Sequence, residues 1–361
     1  MFLIGVALIY ANTGTLNISD LGGRVAALDH DSLSLTQVGA CILALAFLTK
    51  GAMWPLGFWL PTTYVAASPP VGAMLVLMTK VGVYAMLRVW LTLFSSEAGA
   101  AAGFGFEALY WGGLLTLAFG TLGMLGSHEA PRMAGYGAII SSGTLLATIG
   151  YGEPLLLAAG LFYLIGSTLA MAALLLLVEL IDRIRRPGSA LIAVTMEAFA
   201  IEDRPEDPVG VDLPATLVFL SLSFVVCALV ITGMPPLSGF VAKFSLIRGL
   251  LGDGAAAPSA MAWTLTTLIV LSGLASIISM MRFGVRTFWA SGDIKPPRMH
   301  WSEAAPVATL LTLCVALTIL AAPVFGLLGR ATADLDRPSV YADRVLTEPP
   351  VPAPAGTGSG R

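Results

Sequence analysis

Nine apolar stretches separated by short polar connections run along the chain, at 1–11, 35–60, 71–94, 109–126, 133–151, 155–181, 214–250, 261–281 and 305–328. A helix rises about 1.5 Å per residue, so about 20 residues cross the hydrocarbon of a bilayer, and most of these stretches predict membrane-spanning helices. The first would reach only about 17 Å as a helix, and no basic start or small-residue cleavage site marks it as a signal peptide. It reads as the end of a helix, as in a fragment or a chain begun at too late a start codon. The seventh is too long for one span and contains TGMPPLSGF. Pro235 and Pro236 lack amide hydrogens and clash with the preceding turn, and with Gly239 close behind them they predict a break. Stretch 35–60 has the same character, with Pro55 five residues after Lys50 and Pro61 closing the run. The pattern predicts an all-α polytopic membrane protein with about nine transmembrane segments, two of them broken helices, an arrangement that marks the central site of many transporters.

Composition agrees with this class, since 57% of the 361 residues are hydrophobic and 11% charged, far from the values of a soluble domain. The lipid bilayer is therefore the chain's first partner. A net charge of -3 gives no basic surface, and nucleic acid is excluded. Cys41, Cys227 and Cys314 each fall inside an apolar stretch, and His30, His128 and His300 are scattered through connections, so no metal or other cofactor is expected. Connections 127–132, 182–213 and 282–303 hold nine Lys and Arg residues, whereas those opposite hold only Arg24 and Arg248. The excess predicts that these three face the cytoplasm. The loop 182–213 reads as a solvated linker with a short amphipathic helix over 191–199, and Glu179 as an interfacial residue pairing with Arg183 at i+4. The tryptophans mostly mark segment ends, as an aromatic belt does.

The chemistry rests on lysine. The chain has four, and Lys50, Lys80 and Lys243 lie near the middle of apolar stretches. An ammonium at mid-membrane costs at least about 2.5–3.5 kcal/mol, so such a residue ordinarily faces an internal cavity or a proton or ion path. Snorkelling is the plain alternative, but each lysine is about ten residues, or about 15 Å, from the nearer helix end, beyond the reach of its stem. Lysine suits a proton path because desolvation disfavours the ammonium form, so that a buried amine exchanges protons an exposed one retains.

The motifs AFLTKGAMWPLGFWLP, MTKVGVYAMLR and GMPPLSGFVAKF strongly resemble the antiporter-like membrane subunits shared by Mrp-type cation/proton antiporters, respiratory complex I and membrane-bound hydrogenases. The resemblance covers roughly residues 1 to 328, and the branch it resembles most is the D subunit of the multi-subunit Mrp (Pha) antiporters. It implies about fourteen helices built around two inverted five-helix repeats. On that plan 1–94 is the end of the first repeat, 95–282 the second repeat with five segments, 283–328 a lateral loop and last helix, and 329–361 a disordered tail. About five helices would then lie upstream, including one whose glutamate pairs with the lysine of the first broken helix. The chain departs from the family along 161–177, where Gly166, Ser167 and Met171 stand in place of histidine and lysine, and in MAGYGAIISSG, where Gly137 and Ala138 replace two serines. Ser141, Tyr163 and Thr168 remain as hydroxyl groups able to support a water chain.

The implied function is proton translocation through Lys50, Lys80 and Lys243 in a multi-subunit Na+ or K+/proton antiporter. Other membrane subunits of that complex would be its partners, in a bacterial inner membrane. Two alternatives stay open: a proton-pumping membrane subunit of a complex I-like NADH-quinone oxidoreductase or hydrogenase, and an inactive truncated chain.

Overall fold

The computed structural model describes residues 1–185, 215–252, 257–289 and 301–336, together with Ser339 and Ala342. Its elements are helices: α1 (Phe2–Thr13), α2 (Ile18–Ala26), α3 (His30–Lys50), α4 (Trp59–Ala66), α5 (Pro69–Phe94), α6 (Phe106–Gly126) and α7 (Ala130–Tyr151). They continue as α8 (Pro154–Arg185), α9 (Ala215–Thr232), α10 (Ser238–Leu251), α11 (Ala260–Gly284), α12 (Trp301–Ile319) and α13 (Ala321–Asp336). Among the described residues eight helices are long and apolar enough to cross a membrane, or up to nine if α1 and α2, bent by 57°, form one span. The chain is a multi-pass helical membrane protein.

The two broken segments are as expected. The first is interrupted between α3 and α4, around Pro55, and the second between α9 and α10, around Pro235 and Pro236. Gly239, expected in the second break, instead lies inside α10. A Cβ at that position would overlap the Val230 carbonyl oxygen, so the missing side chain lets α10 close against α9.

The described residues pack as two units. One comprises 1–46, 85–104 and 330–361, within which Trp90 is buried against Phe94 and Phe104 and donates its indole N–H to the Phe104 carbonyl at 2.8 Å. Trp90 therefore belongs to a core and not to an interfacial belt, because its polar edge is satisfied by backbone. The other unit comprises 47–84 and 105–329, and its centre is α7. Helices α4, α6 and α8 pack on α7, and nearly every residue from Met133 to Gly150 is buried. Small residues permit that: α7 carries Gly and Ala where neighbours approach closely, and its hydroxyls need not face lipid.

Three expectations change. Helix α2 was not foreseen, because its nine residues carry too little apolar length to register as a span; Asn17 caps it, accepting the Ser19 amide at 3.1 Å. The stretch 305–328, read as one helix, divides into α12 and α13 at Leu320. Pro323 has no amide hydrogen for the Ile319 carbonyl, which ends the first ladder. Residues 329–336, read as the start of a disordered tail, continue α13, where Leu328 and Thr332 are buried on one face. The helix expected over 191–199, the side chain of Arg183 and the end of the tail lie outside the described residues.

Candidate functional site

The second break creates a backbone acceptor and fills it with lysine. In a continuous helix the Thr232 carbonyl would receive the amide of residue 236, but that residue is Pro236 and has none. Instead the Lys243 ammonium, reaching back from the second turn of α10, donates to the Thr232 carbonyl at 2.8 Å. Gly233 makes room for this: its φ is +78°, and the Lys243 stem lies where a side chain on residue 233 would stand. On the far side, α11 passes with Gly273 against both the Thr232 carbonyl and the ammonium. Lys243 is 9% exposed.

Lys80, 2% exposed, is held by a single face of α7. Its ammonium donates to the Ala138 carbonyl and to Ser142 Oγ, both at 3.3 Å, and makes a short hydrogen bond to Ser141 Oγ. Positions 138, 141 and 142 lie on one face because they are three and four residues apart. Three donors thus meet three acceptors, all uncharged. Both ammonium groups point inward, which answers the snorkelling alternative for Lys80 and Lys243.

Lys50 differs. It is the last residue of α3 and its side chain is exposed, although the backbone around Gly51 packs closely on α5 at Gly82. The helix break predicted a lysine beside freed backbone, but burial also requires an element laid over that face, and none of those described covers it. Nearby, the Trp54 amide, left without a helical partner by the break, donates to Thr116 Oγ1 of α6 at 2.9 Å.

Of the hydroxyls expected to support a water chain, Ser141 and Tyr163 line a small cavity among α7, α8, α9, α10 and α11. Thr168 does not line it; its hydroxyl donates to the Leu164 carbonyl of its own helix at 2.6 Å. Its neighbour Ser167 takes that place. Sequence reasoning missed Ser142, Ser167, Ser238 and Ser276, although Ser142 adjoins Ser141 and Ser238 stands within the PPLSGF motif.

These features define a class: a multi-pass helical membrane protein whose interior holds lysines against backbone and hydroxyl oxygens beside a broken span. The family model described as "NADH:quinone oxidoreductase/Mrp antiporter, TM" matches residues 1–279, and the chain belongs to that family. The chain is 48% identical over 355 residues to the D subunit of a probable K(+)/H(+) antiporter of Rhizobium meliloti (strain 1021), covering 97% of this chain and 66% of that protein. It is 30% identical over 352 residues to the D subunit of an Na(+)/H(+) antiporter of Bacillus subtilis (strain 168), covering 96% and 65%. The chain thus spans about two thirds of the length of these relatives. In fold it is similar to a chain of the Mrp complex from Dietzia sp. DQ12-45-1b, with a TM-score of 0.71 at 24% identity over 96% of this chain and 67% of that one.

Proposed function

We propose that the chain is a proton-translocating membrane subunit of a multi-subunit monovalent cation/proton antiporter in a bacterial inner membrane, acting as a transporter component and not as an enzyme. The observation that carries this reading is the pair of buried ammonium groups, Lys80 and Lys243, each held by uncharged oxygens alone among the described residues. A purely structural lysine would be expected to have a carboxylate partner in such a setting. Lys50 extends the path at the first break. Its exposed amine at a predicted mid-membrane depth calls for a covering surface, the place where the family resemblance puts a glutamate-bearing helix. Charge movement would be driven by the membrane potential, worth about 2.3 kcal/mol per charge per 100 mV.

Potassium is the first cation to test, because the relative named for K+ has higher identity than the one named for Na+. The complex purified through this chain is reconstituted in vesicles carrying a pH gradient. Collapse of the gradient on adding K+ or Na+, lost with Lys243→Ala, is the expected result. The family's description also includes NADH:quinone oxidoreductase. Purification with flavin- and iron-sulfur-bearing partners, and no cation-dependent collapse, would establish that second reading and overturn the first.

A further inference from the structure

Between the N-terminal halves of α6 and α11 a groove of ≈ 480 Å³ opens on the surface of the bundle. Helix α6 lines it with Trp111, Leu115 and Ala118, spaced to share one face, and α11 with Trp263, Thr267 and Leu268. Both helices begin at the same end, where the Tyr110 hydroxyl meets the Met261 carbonyl at 2.6 Å and Thr264 Oγ1 at 2.7 Å. The threonine hydroxyls are spent on their own backbone, Thr264 on Met261 at 2.9 Å and Thr267 on Trp263 at 2.8 Å, so the wall is apolar.

The groove is short. From Trp111 to Ala118 it runs about 10 Å, and beyond it the seam between the helices closes. There Ser279 Oγ donates to the Met124 carbonyl at 2.9 Å and Arg282 to the Leu125 carbonyl at 2.7 Å, with Thr121 and Ser276 buried. A partner's spanning helix would need a track of about 30 Å, so the groove suits an occupant that enters from one leaflet.

Polar groups stand at its mouth. Trp111 and Trp263 are exposed, and neither indole N–H has a hydrogen-bond partner among the described residues. One turn before Trp111, on the same face of α6, Glu107 is exposed and has no ion pair among the described residues. Tryptophan at a span's end lies among lipid headgroups, where its N–H can donate to ester or phosphate oxygens. A carboxylate there complements an ammonium and repels an anionic headgroup. Apolar contact alone gives no preference over bulk lipid, since lipid tails are as apolar as leucine, so selection falls to these three groups. We propose that the groove holds one acyl chain of a phospholipid with an amine headgroup, the two indoles donating to its oxygens and Glu107 pairing with its ammonium. The site requires only that the chain span a bilayer, and so stands apart from the transport reading.

The test is photolabelling of the complex purified through this chain, in vesicles of phosphatidylethanolamine and phosphatidylglycerol. A trace of one lipid or the other carries a diazirine midway along an acyl chain, and labelled residues are mapped by mass spectrometry. Leu115 and Leu268 report the groove, and the exposed Leu122 and Leu222, outside it, report bulk lipid. With the phosphatidylethanolamine probe, labelling of the groove leucines about fivefold above the other two is expected, the scale of one net hydrogen bond. The phosphatidylglycerol probe should show no such excess. Glu107→Gln should bring the two probes together, and Ala118→Phe, which fills the closed end of the groove, should abolish the excess. No excess in the wild type would overturn the site, whether a partner subunit covers the groove or lipid exchanges there as in bulk, and that result depends on no variant. An equal excess with both probes would overturn the headgroup assignment.

Discussion

The two helix breaks solve the same backbone problem with different groups, and the difference decides which lysine is buried. At the second break the carbonyl of Thr232 loses its partner to Pro236, and Lys243 supplies the missing donor from within the same segment. At the first break the Gly51 carbonyl likewise loses its helical partner to Pro55, and the freed amide of Trp54 is accepted by the hydroxyl of Thr116 on another helix. Lys50 is the last residue before its break, so it has no following helix from which to reach back to that carbonyl as Lys243 does, and it remains exposed. A proline near a lysine is therefore insufficient to predict an internal charge. What matters is on which side of the break the lysine lies.

The largest expected effect separates the lysines. In vesicles, Lys243→Ala should reduce proton flux by about 10²-fold, the scale of removing a positioned proton-transfer group. Lys50→Ala should reduce it by clearly less. Equal losses would break the comparison, because they would show that the exposed amine is as engaged as the buried one.

Next is Gly233→Ala, expected to destabilise the protein by about 2–3 kcal/mol. The φ of +78° costs an L side chain about 1–2 kcal/mol, and the new methyl meets the Lys243 stem. The stem has to shift, so flux should fall together with the detergent unfolding midpoint. A loss of stability with unchanged flux would mean that the position of the ammonium tolerates movement of its stem.

Much of this comparison could be read from the chain. The prolines at both breaks and the register of the apolar stretches follow from helix geometry and hydropathy alone, and the buried positions of Lys80 and Lys243 agree with their place inside apolar stretches. What could not be read is which helix lies over which lysine. Ser141 was legible as a hydroxyl in a recognisable stretch, whereas Ser276 joins the cavity only because α11 crosses α10 beside Gly273. Ser167 and Thr168 both donate to the Leu164 carbonyl of their own helix, and only the rotation of α8 decides that Ser167 also lines the cavity. The split at Leu320 was visible in Pro323, but a run of apolar residues concealed it, since hydropathy does not register a missing amide.

A smaller effect is expected at the first break from Thr116→Val. The substitution keeps the shape and removes the acceptor of the Trp54 amide, leaving a part-buried N–H unpaired at a cost of about 1–2 kcal/mol. Thr116 also donates to Gly112 at 2.6 Å within its own helix, but that carbonyl keeps its helical partner. Lowering of the unfolding midpoint without change in flux is the expected pair of results. A matching fall in flux would place the first break inside the transfer path despite the exposure of Lys50.

The smallest effect is at Ala52, the counterpart of Gly233. Its φ is +58°, so the first break carries alanine in a left-handed conformation where the second carries glycine. Steric reasoning alone predicts that Ala52→Gly stabilises by about 1–2 kcal/mol. Two opposing terms offset that gain. Glycine adds about 0.4–1 kcal/mol of unfolded-chain entropy, and Ala52 is fully buried, so its methyl group contributes about 0.5–1.5 kcal/mol of packing on the scale of an Ile→Val change. The sum lies within about 1 kcal/mol of zero, so the unfolding midpoint of Ala52→Gly should barely differ from wild type. A clear rise would show that the methyl is poorly packed and the first break strained; a clear fall would show that Ala52 holds the break together through its contacts, as Gly233 holds the second by having none.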